Sequence, residues 1–200
     1  MGGFIAAFRS KRVGMLIGMG FASGLPLAMS GSTLGTWMTQ AGVNLKTIGL
    51  FALVSLPYSF KFLWAPLLDR YRLPILGRRR GWVALSQLGL VLGIWVTSSV
   101  DPRSMPMATA AAALAVAFLS ASQDIVSDAY RTDVLPAEER ASGTSTFVLG
   151  YRIAMLVSGA GALALSDYLP WPTVFKIMAL LMLPMVLVTW RAPKPLNSTA

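Results

Sequence analysis

Neither cysteine nor histidine occurs among the 200 residues. Without them there is no disulfide framework, no Cys/His metal site and no imidazole base, which excludes most hydrolytic and redox chemistries together. Any proton handling falls to Asp, Glu or Lys. Charge is scarce as well: 12% of residues are charged and 55% are hydrophobic, against about 25% charged in soluble domains. Acidic residues are the scarcest, 8 against 17 Lys and Arg, giving a net charge of +9. Such an excess suits nucleic acid only when the cations share one surface. Here they are dispersed between apolar runs, so no nucleic-acid partner is expected. The polar residues inside those runs form no nucleophile–base pair and no metal set, so the chain is not read as an enzyme, and no cofactor is expected.

What is abundant is long apolar sequence. Weakly charged runs cover about 13–39, 47–68, 82–100, 106–129, 142–166 and 171–190. At about 1.5 Å per residue each can cross a hydrocarbon core of roughly 30 Å, some with tilt. Connections at 40–46, 101–105 and 167–170 are short, so successive helices are antiparallel neighbours. The expected fold is an all-α membrane protein: a six-helix bundle over 13–190, with a cytoplasmic segment 1–12 before it and a cytoplasmic linker 191–200 after it. Arg9, Lys11 and Arg12 ahead of an apolar run resemble a secretory leader. The run continues to Trp37, too long for a leader's apolar region, and reads as an uncleaved anchor.

Orientation follows from the cations. Arg9, Lys11, Arg12, Arg70, Arg72, Arg78, Arg79, Arg80, Arg131, Arg140, Arg191 and Lys194 flank one side of the runs, while Lys46 and Arg103 flank the other. The positive-inside bias places both termini in the cytoplasm, and the membrane is expected to be a bacterial inner membrane. Trp37, Trp64, Trp82, Trp171 and Trp190 fall near run ends, where indoles sit between headgroups and tails.

Runs 82–100 and 171–190 carry few polar groups and are expected to face lipid, with Lys176 snorkelling. The other four hold the polar residues. Small-xxx-small spacing at Gly14/Gly18 and Gly20/Gly24 suits close helix packing, and Gly24-Leu25-Pro26 is a candidate helix break lining a pathway. Asp124 and Asp128 lie one turn apart on a face shared with Ser120 and Ser127, with Gln123 beside them. An ionised group at that depth costs about 2.5–3.5 kcal/mol or more unless compensated. Lys61 lies at a matching depth of roughly 10 Å, and Arg152, about 15 Å in, can reach toward Asp124. One expectation is that Asp124 or Asp128 binds a coupling proton and that Lys61 or Arg152 switches it. The alternative is a permanent ion-pair network, or Asp128 capped by the amides opening run 142–166. Arg152 beside Tyr151 suits bidentate capture of a carboxylate with a stacking ring; Gln123, Lys61 and Tyr58 complete the candidate binding set.

The segment Asp69-Arg70-Tyr71, followed after five residues by Gly77-Arg78-Arg79-Arg80-Gly81, resembles the Gly-x-x-x-Asp-Arg-x-Gly-Arg-Arg signature of the major facilitator superfamily, with Ala65 in place of the first glycine and 72–76 as an insertion. More specific are the runs Gly20-Phe-Ala-Ser-Gly-Leu-Pro-Leu-Ala28, Phe60-Lys-Phe-Leu-Trp-Ala-Pro-Leu-Leu-Asp-Arg-Tyr71, Ser122-Gln-Asp-Ile-Val126 and Thr132-Asp-Val-Leu-Pro-Ala-Glu-Glu-Arg140. These resemble the AmpG-type muropeptide permeases of that superfamily. The resemblance implies proton-coupled import of N-acetylglucosaminyl-anhydro-N-acetylmuramyl peptides during peptidoglycan recycling, which feeds β-lactamase induction and so antibiotic resistance. Sugar rings would suit Tyr58, Tyr151 or Trp37. It also implies that this chain is an N-terminal six-helix half whose C-terminal half is missing, so that the 200 residues alone are not expected to transport. In such proteins the loop is a conformational latch, here Asp69, Arg70, Gly77, Arg78 and Arg79: Asp69 would accept from a helix N-terminus or an Arg, and Arg70, Arg78 and Arg79 would pair with acids such as Glu138 or Glu139. Two rivals remain: a relative carrying another cargo such as acetyl-coenzyme A, whose fourth helix has a similar Gln-Asp-Ile run, and a membrane docking protein that transports nothing.

Overall fold

A computed structural model describes residues 10–71, 73 and 76–193, with the backbone alone at Lys11 and Arg78. The expected segment 1–12 and linker 191–200 lie largely outside this range. All regular structure among the described residues is helical: α1 (Lys11–Ser30), α2 (Ser32–Gln40), α3 (Leu45–Leu50), α4 (Leu56–Phe60), α5 (Ala65–Arg70), α6 (Arg78–Ser98), α7 (Pro106–Val134), α8 (Arg140–Leu156), α9 (Ala162–Ser166) and α10 (Trp171–Arg191). Five helical stretches are long and apolar enough to cross a membrane: Arg12–Gln40, Arg79–Ser98, Pro106–Val134, Ala137–Ser166 and Trp171–Arg191.

Residues 47–68 differ from the single helix expected there. They belong to a rod in which α3, α4 and α5 are separated by 3-10 turns at Phe51–Ser55 and Lys61–Leu63. Pro57 and Pro66 explain it, because neither can donate to the carbonyl four residues back. The chain tightens before each: Leu56 N–H donates to Leu53 O and Trp64 N–H to Lys61 O. The rod is still roughly 40 Å long, enough to span the core. Its apolar side chains face outward; Leu53, Phe60, Phe62, Leu63 and Leu67 are exposed, as are Leu88 and Leu92 of α6 and Leu180 and Leu187 of α10. Outward apolar surface is therefore not confined to runs 82–100 and 171–190.

A second difference concerns the first span. The helix runs unbroken through Pro26 and breaks instead at Gly31, where φ is −112° and ψ −107°. The Ser30 hydroxyl donates to the Pro26 carbonyl at 3.0 Å. Across the break, Thr33 Oγ1 donates at 2.7 Å to the carbonyl of Ser158, within the π-helical turn Val157–Gly161 that links α8 to α9.

Helix α1 is the central packing element, with α7, α8 and α10 around it. Its contact with α8 is backbone on backbone. A methyl group at Gly20 would collide with the Phe147 carbonyl, one at Gly24 with the Tyr151 carbonyl, and one at Gly150 with the Ile17 carbonyl. Gly18 instead faces Val188 of α10, and Gly14 meets nothing. Of the two spaced pairs, only Gly20/Gly24 forms the close crossing.

Two apolar clusters result. One, toward the end remote from the arginine-rich loop, includes Leu25, Met29, Leu34, Trp37, Leu90, Trp171 and Phe175. The other, at the basic end, includes Leu16, Met19, Val83, Val126, Tyr130 and Phe147. Trp37 and Trp171 are buried and stacked at 6.3 Å, and Trp171 Nε1 donates to Gln40 Oε1 at 2.7 Å. They tie α2 to α10 rather than anchor a headgroup layer, and Trp37 is unavailable for stacking on a sugar. Lys176 lies 5.6 Å from the Trp95 ring, held by an aromatic face at its level. In the loop between α6 and α7, Asp101 accepts from Ser104 Oγ at 2.8 Å and from Arg103 N; these bonds hold its carboxyl below the usual range.

Gly150→Leu is expected to break the α1–α8 crossing, costing about 3 kcal/mol or more, while Gly14→Ala leaves stability unchanged. Thermal unfolding in detergent checks this; equal melting temperatures for the two variants would contradict the packing role.

Candidate functional site

The polar stripe of α7 emerges between α7 and α8. Asp124, Asp128, Arg131, Phe147, Val148, Tyr151 and Arg152 line a groove of about 290 Å³. The turn spacing of α7 puts Asp124, Asp128 and Arg131 on one side, and α8 contributes Tyr151 and Arg152. Four charged residues, Asp124, Asp128, Arg131 and Arg152, thus line one groove.

The two carboxylates are not equivalent. Asp128 is exposed and paired with Arg131 at 3.1 Å; the Arg131 guanidinium also lies 4.8 Å over the Phe147 ring. This local pair takes the place of capping by the amides that open α8. Asp124 is partly buried and, among the described residues, forms no ion pair. Its surroundings are Lys61 from the rod, Asp128 one turn away and the Ser23 hydroxyl of α1. The expected direct approach of Arg152 to Asp124 is not made: Arg152 is exposed at the wall of the groove.

Gln123 turns away from the groove. It is fully buried, and its Nε2 donates to Ser23 Oγ at 3.1 Å while its Oε1 has no partner. Its placement ties α7 to α1. Tyr58 and Lys61 sit on the rod three residues apart, Tyr58 in α4 and Lys61 opening the second 3-10 turn. Tyr58 also lines a second cavity of about 280 Å³, bounded by Leu27, Ser30, Leu34, Ile48 and Phe51. The binding residues expected from sequence therefore divide. Tyr151 and Arg152 share the groove, Tyr58 belongs to the second cavity, Lys61 stands near Asp124, and Gln123 is internal.

At the basic end, Gly77 caps α6 with φ +77°, a left-handed conformation that glycine adopts without strain. The next turn delivers Arg79, which bonds Asp69 at the end of the rod and donates through Nε to Asp133 of α7 at 3.1 Å. One guanidinium thus joins three elements. This corrects the expectation that Glu138 or Glu139 supplies the acid: among the described residues neither pairs with Arg70 or Arg79, and Glu139 accepts from Ser10 Oγ at 3.3 Å. Arg70 is exposed, and the Arg78 side chain lies outside the described atoms. Arg80 donates to the Ala192 carbonyl at 2.6 Å, and Tyr130 Oη to that of Pro193 at 2.8 Å, holding the chain where it leaves α10.

Sequence reasoning missed Asp133 as a partner of Arg79. The available signal was an acid at the same end of its span as the basic loop, within a motif already conspicuous for resemblance. Arg131 was counted only for topology, and its i,i+3 spacing from Asp128 was the sign of a local pair.

Residues 16–200 match the Major Facilitator Superfamily. The anhydromuropeptide permease of Escherichia coli K12 is 48% identical over 196 residues, covering 98% of this chain and 40% of the relative. An uncharacterized Haemophilus influenzae protein is 45% identical over 85% of the chain, and a putative transporter AmpG 1 of Rickettsia conorii 37% identical over 80%. The chain spans about 40% of the length of these curated relatives.

If Arg79 joins the rod, α6 and α7, Arg79→Ala should loosen the basic end. A cysteine replacing the exposed Val148, in a sequence that has no cysteine, should then react with a soluble maleimide several-fold faster, the effect of losing about 1 kcal/mol of partly solvated charge pairing. An unchanged labelling rate would remove the clamp from consideration.

Proposed function

Because the chain belongs to the major facilitator superfamily and is a multi-pass membrane protein, we propose that it is the N-terminal half of an inner-membrane importer of anhydromuropeptides, driven by protons. The observation that carries the reading is Asp124: a carboxylate partly buried in a membrane bundle, with no ion pair among the described residues, opening on a groove walled by Arg152 and Tyr151. A group so placed is stable when protonated or when a cation approaches, and a carboxylate of that kind is what a proton-coupled cycle requires. The guanidinium of Arg152 offers bidentate recognition of a peptide carboxylate, with the Tyr151 ring for a sugar face.

The cargo is moved unaltered. In this reading the basic end is cytoplasmic, following the cation bias, and a second six-helix half closes the groove and rocks against this one. Asp69, Arg79 and Asp133 form the latch that holds the basic end shut while the opposite end is open, and Gly77 sets its turn. The groove lies nearer the latched end, which accords with cargo entering from the far side and waiting above a closed gate. The similarity to the Escherichia coli permease supports the choice of cargo over acetyl-coenzyme A.

Vesicles carrying the full-length protein should accumulate labelled anhydromuropeptide under an inward proton gradient. Asp124→Asn should abolish gradient-driven accumulation, by about a hundredfold or more, while Asp128→Asn, which breaks only an exposed pair, should cost less than about threefold. Accumulation that ignores the gradient would remove the proton from the mechanism, and wild-type vesicles that take up no muropeptide would remove the cargo.

A further inference from the structure

A third cavity, of about 330 Å³, lies between the rod, α6 and α7. Trp64, Leu67 and Tyr71 wall it on the rod, Trp82 and Leu85 on α6, and Phe118 on α7. Trp64 Nε1 donates to Ser122 Oγ at 3.0 Å, and Trp82 Nε1 to the Tyr71 carbonyl at 2.9 Å. The Ser122 hydroxyl donates in turn to Phe118 O at 2.8 Å, and the Trp64 and Phe118 rings lie 4.8 Å apart. Both indole donors are thus committed to the protein. What remains for an occupant is chiefly ring faces and aliphatic carbon, in a cavity already shaped.

At about 3.6 residues per turn, Leu119 and Ser122, which also line this cavity, fall on the opposite side of α7 from Asp124, Asp128 and Arg131. The cavity is therefore separate from the groove of Asp124. Leu67, Leu85 and Phe118 are exposed at its walls, so it opens sideways from the bundle, where a membrane protein meets hydrocarbon. A single helical turn, about 10 Å across and about 5.4 Å tall, is larger than the cavity, whereas an unbranched chain fits. The cavity also has a charged end. Tyr71 follows Arg70, which is exposed and forms no ion pair among the described residues, while Arg79 is committed to Asp69 and Asp133. The adjoining loop adds Arg72 and Arg78 in sequence.

We propose that this cavity holds one acyl chain of an anionic phospholipid, with the lipid's phosphate at Arg70. An amphiphile of that class satisfies both parts of the site: hydrocarbon against Trp64, Trp82 and Phe118, and an anion beside the Arg70 guanidinium. Arginine recognises phosphate through paired N–H donors, and basic pockets between helices at the cytoplasmic ends of spans suit anionic head groups. A neutral lipid would fill the cavity and leave Arg70 unmatched. On the rod, Leu68 and Tyr71 both line the cavity and bracket Asp69, so the bound chain packs the rod against α6 beside the pair that Arg79 makes there. The site requires a bilayer at this face and nothing of cargo or protons.

The test uses the full-length protein in detergent, titrated with dioleoyl phosphatidylglycerol or dioleoyl phosphatidylethanolamine, with bound lipid counted by native mass spectrometry. Wild type should retain one phosphatidylglycerol about fivefold more tightly than phosphatidylethanolamine, the effect of one arginine at an anionic head group. Arg70→Gln should erase that preference. Leu85→Trp, which fills the cavity from its exposed wall, should weaken both lipids about tenfold; Leu88→Trp, exposed on the same helix outside the cavity, should change neither. Should Leu85→Trp fail to fold, judged by its melting temperature, Leu67→Trp fills the cavity from the rod and decides instead. Equal retention of the two lipids by wild type, a preference that survives Arg70→Gln, or tight binding that survives the filled cavity would overturn the proposal. A wild type that retains no phospholipid would do the same and point to a segment of the protein in the cavity. Uptake is no part of the readout, so failure of the cargo reading stays distinct from failure of the lipid site.

Discussion

The contact of α1 with α8, backbone against backbone at Gly20, Gly24 and Gly150, governs what the rest of the bundle can do. In a bilayer, helices gain little from burying apolar side chains against one another, since lipid is equally apolar, and close approach through small residues supplies the attraction instead. The approach here is so close that a methyl group has no room. It also fixes which face of α8 is left over: with Gly150 against α1, Tyr151 and Arg152 are carried to the groove. On α1 the same crossing presents Ser23 to α7, where it meets Gln123 and Asp124. The polar site thus inherits its geometry from three residues that carry no side chain.

Charge placement follows a different rule at each depth. At the basic end, carboxylates are matched by guanidinium groups: Asp69 and Asp133 by Arg79, Asp128 by Arg131. These pairs are partly solvated, and each alone is worth little, but Arg79 binds two acids from two elements and so acts as a clamp rather than a surface pair. Farther in, Asp124 has no such partner among the described residues, although burying an unpaired charge costs several kcal/mol. Lys61 and the Ser23 hydroxyl stand near without closing a pair. Among the described residues, the bundle thus matches these outer acids with arginine and leaves its inner one without an ion pair.

Much of this was legible in the sequence because a membrane imposes so few choices. Apolar runs of the right length, cations gathered at alternate connections and a face joining Ser120, Asp124 and Asp128 follow from composition and helical period. What escaped was decided by local backbone chemistry. Pro26 was conspicuous, yet the helix passes through it and breaks at Gly31, because buried neighbours hold α1 straight while Gly31 is exposed and tolerates the distortion. Pro57 and Pro66 looked like interruptions of one helix but convert the rod into alternating α and 3-10 turns, an effect that hydropathy cannot register. Arg152 was assigned to Asp124 by depth alone; its direction around α8 was set by Gly150, two residues away, and depth says nothing of direction. Glu138 and Glu139 lost Arg79 to Asp133 because α7 continues past the bilayer run as helix to Val134, carrying Asp133 under the loop.

The broken rod differs from the other spans. Pro57 and Pro66 remove two backbone donors and leave it as alternating α and 3-10 turns, and its exposed side chains include Leu53, Phe60, Phe62, Leu63 and Leu67. An element that is interrupted, weakly enclosed and fixed at one end by Asp69 to Arg79 is also the one whose movement would change the surroundings of Asp124 most directly. The α1–α8 crossing and the jointed rod are therefore complementary: one sets the face of α8 that walls the groove and presents Ser23 to α7, and the other brings Lys61 near Asp124.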